Sequence, residues 1–461
     1  MALHKDGWGH DVTAADAAAV ARLDGAILAY CGMRVDIGDR MKTVFEADAE
    51  MPMALAAKTA FLKMFATAKM DAAAAKTHAQ LSAVIAAGET TARERAHAGA
   101  LGHYVAGDLG AACDAWEAIL IDHPRDLFAI KLAQLNRFYL GQPSAMRGGI
   151  ARALHGWSEA MPGYGYLLGS YAFALEEAGH YPEAERHGRR AIEIDPTDIW
   201  AAHAVAHVME MQGHSGQGYG WLDVLKGEWA GVHNFKHHAH WHRALFALDL
   251  GLHDDVLDIH DRDIWTEVAG DYLDISNAAS LLWRLEEEGV DVGDRWAPVA
   301  ALSAERVEEH ALVFATCHFA MALAGDGGDG EGHADALDRL EAAQAAHMRA
   351  HPDTTFAHVW RAAGAAIVKA VRASRAGRPG EAVDHLLPAR AEILRIGGSH
   401  AQRDVFERLL LSAALADGRD ALARALISER LAARPEERWT LACCRALDTG
   451  EVRADGATAT A

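Results

Sequence analysis

The sequence lacks the features that mark several large classes of protein. No uninterrupted apolar run approaches the roughly 20 residues that span a bilayer, although 51% of the 461 residues are apolar, so no membrane partner is expected. The first ten residues, Met1 to His10, have no basic segment leading into an apolar one, and no secretory leader is expected. Cysteine is scarce. The five present (Cys31, Cys113, Cys317, Cys443 and Cys444) form no C-x-x-C, and an odd number suits a reducing compartment, so the expectation is cytoplasmic. Basic residues are outnumbered, 44 against 65 acidic, for a net charge of −21. Such a surface repels phosphate backbones, which argues against nucleic acid as a partner. Runs of β-branched residues are short, so few strands are expected. Familiar catalytic signatures are missing too: no G-x-S-x-G, no H-E-x-x-H, no G-x-x-x-x-G-K-[ST], and no paired E-x-x-H units of the di-iron bundles.

What is present is a repeat. Gly107, Ala112 and Pro124 recur at the same offsets as Gly179, Ala184 and Pro196, and again as Gly418, Ala423 and Pro435. Internal periodicity of this kind marks a stacked array. Each copy resembles the tetratricopeptide pattern: a first helix, a glycine turn, a second helix with small contact residues, and a proline that ends the unit. The clearest copy starts at Gly165, with Ala172, Ala184 and Ala191 as small positions and Leu168 and Tyr181 as packing residues; Tyr171 is also expected to pack. Gly188 stands where a large apolar residue is expected, at a helix cost of about 1 kcal/mol against alanine. The fold class is therefore all-α, a right-handed α-solenoid of tetratricopeptide-like helix pairs with a helical N-terminal cap. Residues 1–90 read as the cap, with Thr13 to Asp16 as a helix start; 91–235 carry the repeats; 236–445 continue as degenerate pairs; 446–461 read as a disordered tail. Gly213 to Gly220 reads as a loop ending a helix, and the Gly- and Asp-rich stretch from Gly325 to Gly332 as a solvated linker, since it lacks the ligand spacing of a calcium loop.

Histidine is the residue that points to chemistry. His203, His207 and Glu210 are spaced by four and three within a helix-forming stretch, so they share one face. His238 and His242 repeat the four-residue step inside a segment where five of ten residues are histidine. With 27 histidines, about 1.6 pairs at this spacing are expected by chance, and four occur. Counting from Gly165, the unit that begins at Ile199 puts Trp200, His203, His207, Glu210 and Met211 at the positions that line the concave, ligand-holding face of tetratricopeptide arrays. The face offers no Lys, Arg or Asn for clamping an acidic peptide tail. Later in the chain, Arg403 and Asp404 follow a Gly-Gly-Ser turn; Ser399 or His400 suits a helix cap, Asp404 suits the first-turn dipole, and Arg403 suits either an ion pair or an anionic ligand.

Five stretches together resemble the tetratricopeptide repeat protein 38 family: Ala202 to Met211 (AHAVAHVMEM), His238 to Leu245 (HAHWHRAL), Arg284 to Asp291 with Arg295-Trp296, His318-Phe319, and Gly397 to Phe406 (GGSHAQRDVF). The likeness covers roughly Gly163 to Arg408; His400 stands where the family pattern has Asn. It implies an all-helical repeat fold and singles out His203, His207, Glu210, His238, His242, His318, Arg403 and Asp404, without bringing a settled reaction.

Two functions follow as expectations. In one, the chain is a repeat scaffold that binds a peptide, a partner protein or a small ligand in a His-rich concave pocket lined by Trp200, His203, His207, Glu210, Trp241, His318 and Arg403. In the other it is a metal-dependent, hydrolase-like enzyme. There His203, His207, His238 and His242 bind Zn²⁺ or a similar divalent ion, Glu210 is the base, and Arg403 and Asp404 complete the site. Convergence of the imidazole nitrogens to within about 4 to 5 Å separates the two, since each Zn–N bond is near 2.0–2.1 Å.

Overall fold

The computed structural model describes residues 2–266, 270–326 and 331–449, with the side chains of 331–334 excepted. The expected linker therefore falls partly, and the expected tail mostly, outside the described residues. The chain forms two compact units, Met1–Val205 with Gly227–His233, and Ala206–Lys226 with Asn234–Ala461. Unit 1 opens with strands β1 (Ala2–Lys5) and β2 (Asp11–Ala14). Its helices are α1 (Ala17–Cys31), α2 (Ile37–Ala47), α3 (Pro52–Met64), α4 (Ala68–Ala87), α5 (Ala92–Val105), α6 (Leu109–Asp122), α7 (Leu127–Tyr139), α8 (Pro143–Ala153), α9 (Tyr164–Glu177) and α10 (Tyr181–Ile194). Helix α11 (Ile199–Met211) begins in unit 1 and ends in unit 2. Unit 2 continues with α12 (Ser215–Leu225), α13 (Phe235–Asp249), α14 (His253–Ile259), α15 (Tyr272–Glu287), α16 (Trp296–Ala304), α17 (Val313–Gly325) and α18 (Glu331–Ala350). It closes with α19 (Thr355–Val359), α20 (Ala365–Arg375), α21 (Pro379–Ala389), α22 (His400–Ala416), α23 (Asp420–Ala433) and α24 (Arg438–Thr449). The all-α, helix-pair class read from the sequence holds in both units.

The repeat signals are the joints between helices. At Gly107, Gly179 and Gly418 the backbone turns left-handed, with φ of +81°, +80° and +70°, a region where only glycine avoids a Cβ penalty. The next amide reaches back five residues: Asp108 N to His103 O at 3.0 Å, His180 N to Leu175 O at 2.8 Å, and Arg419 N to Ala414 O at 2.9 Å. This is the Schellman stop, which satisfies the last carbonyls of the first helix. Gly141, Gly213, Gly251, Gly289 and Gly377 repeat the left-handed turn. The alanine five residues on (Ala112, Ala184, Ala423) is fully buried in each copy, because only a methyl fits where paired helices touch. The prolines sit at the second position of a turn closed by Asp126 N to His123 O, Asp198 N to Asp195 O, and Glu437 N to Arg434 O. Each turn delivers a buried acid to the start of the next helix, and Asp126 and Asp198 accept bonds from the first-turn amides of Ala129 and Ala201.

Several local expectations are corrected. Asp16, not Thr13, caps α1, accepting from Ala19 N at 2.8 Å. Thr13 lies in β2, where its amide and hydroxyl donate to the Glu94 carboxylate at 2.7 and 2.8 Å. Arg93 then joins the hairpin to the repeats by bonding Asp6 at 3.1 Å and Asp126 at 2.7 Å. The Gly213–Gly220 segment is not all loop, since α12 starts at Ser215. A Cβ on Gly218 would lie 2.2 Å from the Phe246 ring, so that glycine is a contact between α12 and α13. Gly188 has a similar reason: a Cβ there would stand 2.5 Å from Val205 Cγ2, so Val205 occupies the space that a larger side chain fills in the usual pattern. Leu168 packs with Ala191 and Ala201, while Tyr171 is only half-buried and lies against His187.

Within unit 2, α15 packs on α13, α17 and α22. It is buried almost throughout, and an apolar helix in that position still carries Asn277, Ser280 and Arg284 at steps of three and four. Those three lie along one face, and they organise the site.

Candidate metal centre

The candidate centre is assembled by the C-terminal half of α11 and the first turns of α13, held from behind by α15. His207 and Glu210 come from α11; His238 and His242 come from α13 on a single face. Ligand nitrogens of His207, His238 and His242 lie within 4.8 Å of one another. A tetrahedral ion with bonds of 2.0–2.1 Å spaces its ligands about 3.4 Å apart, so small side-chain movements close the set. The ring centroids of His207 and His242 are 4.4 Å apart, and those of His238 and His242 are 4.8 Å apart. His203 stands one turn before His207 on the same continuous helix, in unit 1, where its ring packs on Phe173 and Trp200 at 5.4 Å from each.

Two imidazoles are fixed in orientation from outside. His238 Nδ1 is 2.8 Å from Asn277 Oδ1, and His242 Nδ1 is 2.9 Å from Glu210 Oε2. An amide oxygen or an ionised carboxylate can only accept, so His238 Nδ1, and His242 Nδ1 when Glu210 is ionised, carries the proton and leaves its Nε2 with a lone pair. This carboxylate–histidine arrangement is the usual support behind a metal-ligating imidazole. Trp241 completes the frame. Its indole lies over the His238 ring at 5.2 Å and 15°, and its Nε1 donates to Ser280 Oγ at 3.1 Å.

Burial sets the charge state. It pushes the His207 and His238 imidazoles well below their ordinary pKa, with His242 adding repulsion in both cases. His242 itself is pushed down to about 3 by burial and then by Arg284. Neutral imidazole is the form that binds metal. Glu210 is pushed up to about 7, again by burial.

The remaining expected residues fall elsewhere. Trp200, in unit 1, is buried against Phe173 and beneath Lys131. Four of the five expected groove positions (Trp200, His203, His207 and Glu210) are buried and Met211 is half-buried, so the expected open groove face is not found along α11. His318 is buried on α17 and stands outside the histidine group; its Nδ1 donates to Phe314 O at 2.8 Å, its ring meets Phe406, and burial lowers it to about 4. Ser399 is the cap of α22 and forms a capping box with Gln402. Arg403 donates to the Gly398 carbonyl and approaches His400 Nδ1 at 3.4 Å. Asp404 is past the first turn and belongs to an ion-pair network, 2.7 Å from Arg430, 3.7 Å from Arg434 and 3.9 Å from Arg284. Asn277, Ser280 and Arg284 are what the motif reading missed as supports. The available signal was polar side chains at steps of three and four inside an otherwise apolar helix.

No family model matches the chain. Among solved structures it is similar to a chain in the structure of Naa15/Naa10 bound to HypK-THB, at 12% identity and a TM-score of 0.26, covering 89% of this chain and 68% of that one. Agreement at that level carries no argument about function.

Proposed function

We propose that this helical-repeat protein binds a divalent transition-metal ion in the buried histidine centre. The ligands are His207, His238 and His242, with His203 the next imidazole along the same face of α11. The observation that carries this reading is the approach of three neutral, buried imidazoles to within 4.8 Å, two of them with Nδ1 tied to an acceptor. An all-nitrogen, uncharged set suits zinc, copper, nickel or cobalt and is poor for calcium or magnesium, which prefer oxygen. The reading also fits membership of the tetratricopeptide repeat protein 38 family, whose two His-x-x-x-His stretches then supply the ligands.

In this reading Glu210 is a positioning residue. Its Oε2 holds His242 Nδ1–H, so its first task is to orient a ligand, not to act as the base of the hydrolase-like scheme. Asn277 does the same for His238, and Ser280 holds the Trp241 wall. Arg284 donates to the carbonyls of Ser280 and Ala401 at 3.0 and 2.7 Å, which ties α15 to the start of α22. Arg403 and Asp404 stabilise that same helix start and its neighbours. A bound ion would supply Lewis-acid polarisation to whatever small molecule reaches it. Peptide binding through this face is disfavoured because its imidazoles are buried.

Cobalt(II) titrated into metal-free protein tests the proposal. A tetrahedral nitrogen site gives an intense visible band that a His238→Ala/His242→Ala variant loses. An unchanged spectrum of hydrated cobalt with the wild-type chain would refute it.

A further inference from the structure

Unit 2 carries a second histidine cluster, apart from the buried centre. His347, in the last turn of α18, and His351, just past its end, repeat the four-residue step of the buried pairs. The backbone keeps the helical bond between them, His351 N to His347 O at 2.8 Å, so both side chains lie on one face. Their ring centroids are 4.8 Å apart, the same separation as His238 and His242, whose ligand nitrogens lie within 4.8 Å of each other. The setting differs. His351 is exposed and His347 half-buried, and among the described residues neither imidazole has a hydrogen-bond or ion-pair partner.

One of the two rings is held in place. His310, from the segment before α17, stacks on His347 at 4.1 Å and 24°, and Phe356 meets His347 edge-on at 5.5 Å. His310 is fixed in turn by Gln344, which is fully buried. The Gln344 Nε2 donates to the carbonyls of Val307 and Glu309 at 3.1 and 3.4 Å, which turns its Oε1 to accept from His310 Nδ1 at 2.8 Å. Burial, then repulsion from His310 and His351, lowers His347 to about 4, so the ring is neutral at physiological pH, as a ligand must be. The C-terminal end of α18, with its partial negative charge, favours a cation.

We propose that His347 and His351 chelate a divalent transition-metal ion, copper(II), nickel(II) or zinc(II), at an exposed site distinct from the buried centre. Imidazole nitrogen suits these ions and is a poor donor for calcium or magnesium. Two protein ligands leave the other coordination positions to water or to an outside donor, so the ion exchanges readily and is stripped with loosely bound metal. His310 is a positioning residue, which fixes the plane of His347 without touching the ion.

The test is calorimetric titration of the full chain with nickel(II), with circular dichroism to verify folding. The wild type is expected to show a binding step that His351→Ala, a change at an exposed ring, weakens at least tenfold and that His347→Ala/His351→Ala abolishes. The His238→Ala/His242→Ala chain should keep this step; its loss there instead would place the ion at the buried centre and overturn the proposal. A step unchanged in His351→Ala would overturn it as well, and that single variant decides if the double one does not fold. His310→Phe, which keeps a stacked ring, should bind nickel as the wild type does, whereas His310→Ala should bind it more weakly; equal losses in the two would remove the positioning role.

Discussion

Replacing Asn277 with leucine separates a metal centre from a packed polar core. Asn277 Oδ1 accepts from His238 Nδ1 at 2.8 Å, and both residues are buried. Leucine has the same branching and number of heavy atoms and is somewhat larger, so no cavity forms, but the imidazole N–H loses its acceptor. Leaving one buried donor unmade costs about 1–3 kcal/mol of folding stability. If His238 ligates an ion, its ring also loses orientation, and affinity should fall about 10- to 100-fold, as for other supporting residues of metal sites. That fall corresponds to about 1.4–2.7 kcal/mol. Leu168→Ala, in the unit 1 core, is the control: it should cost about 2–5 kcal/mol of stability and leave affinity unchanged. The assay pairs urea denaturation of metal-free protein with a competition titration against a zinc chelator. Equal affinities for the wild-type and Asn277→Leu chains would refute the supporting role.

Three further outcomes follow. Gly188→Ala gains about 1 kcal/mol in helix propensity but sets a methyl 2.5 Å from Val205 Cγ2, an overpacking cost of about 1–3 kcal/mol. The variant should melt at or below the wild type, and adding Val205→Ala should recover part of the loss; a clear rise in melting temperature would show that the contact is not tight. Glu210→Gln keeps an acceptor for His242 and should weaken metal binding less than Glu210→Leu in the same chelator competition; equal losses would place the role of Glu210 elsewhere. Asp404 is held well below the ordinary carboxylate range: burial opposes ionisation, but Arg430, Arg434 and Arg284 prevail. A depressed folded pKa adds stability above the unfolded value of about 3.9 and loses it as pH falls toward the folded one. Asp404→Asn should therefore cost about 1.5–3 kcal/mol at pH 7, the range for hydrogen bonds to charged groups, with the gap closing below about pH 4; a gap independent of pH would argue against the ion pairs.

The sequence showed most clearly what depends on local spacing. Glycine turns and buried alanines follow from the backbone conformation and close contact of any helix hairpin, so three matching triplets were enough to read the class. The imidazole pairs were equally legible, because a four-residue step fixes a face once the helix is assumed. Long-range partners were not. The β1–β2 hairpin has weak strand propensity in Ala2–Lys5, and its Thr13 and Asp6 anchor on Glu94 and Arg93, some eighty residues away. Gly188 read as a defect because its explanation, Val205, is on the next helix. Glu210 and Asn277 stand 32 and 39 residues from the histidines they hold, and no local pattern connects them. Register placed one face of α11 on an open groove, whereas Trp200, His203, His207 and Glu210 are buried, since burial depends on what packs across the helix.

Metal content of the purified chain, measured by elemental analysis after exposure to zinc and removal of loosely bound ions, tests the central claim most directly. The account predicts about one zinc per wild-type chain and essentially none in the His238→Ala/His242→Ala variant, with both chains folded by circular dichroism. A metal-free wild-type chain, or equal zinc in the two, would contradict it.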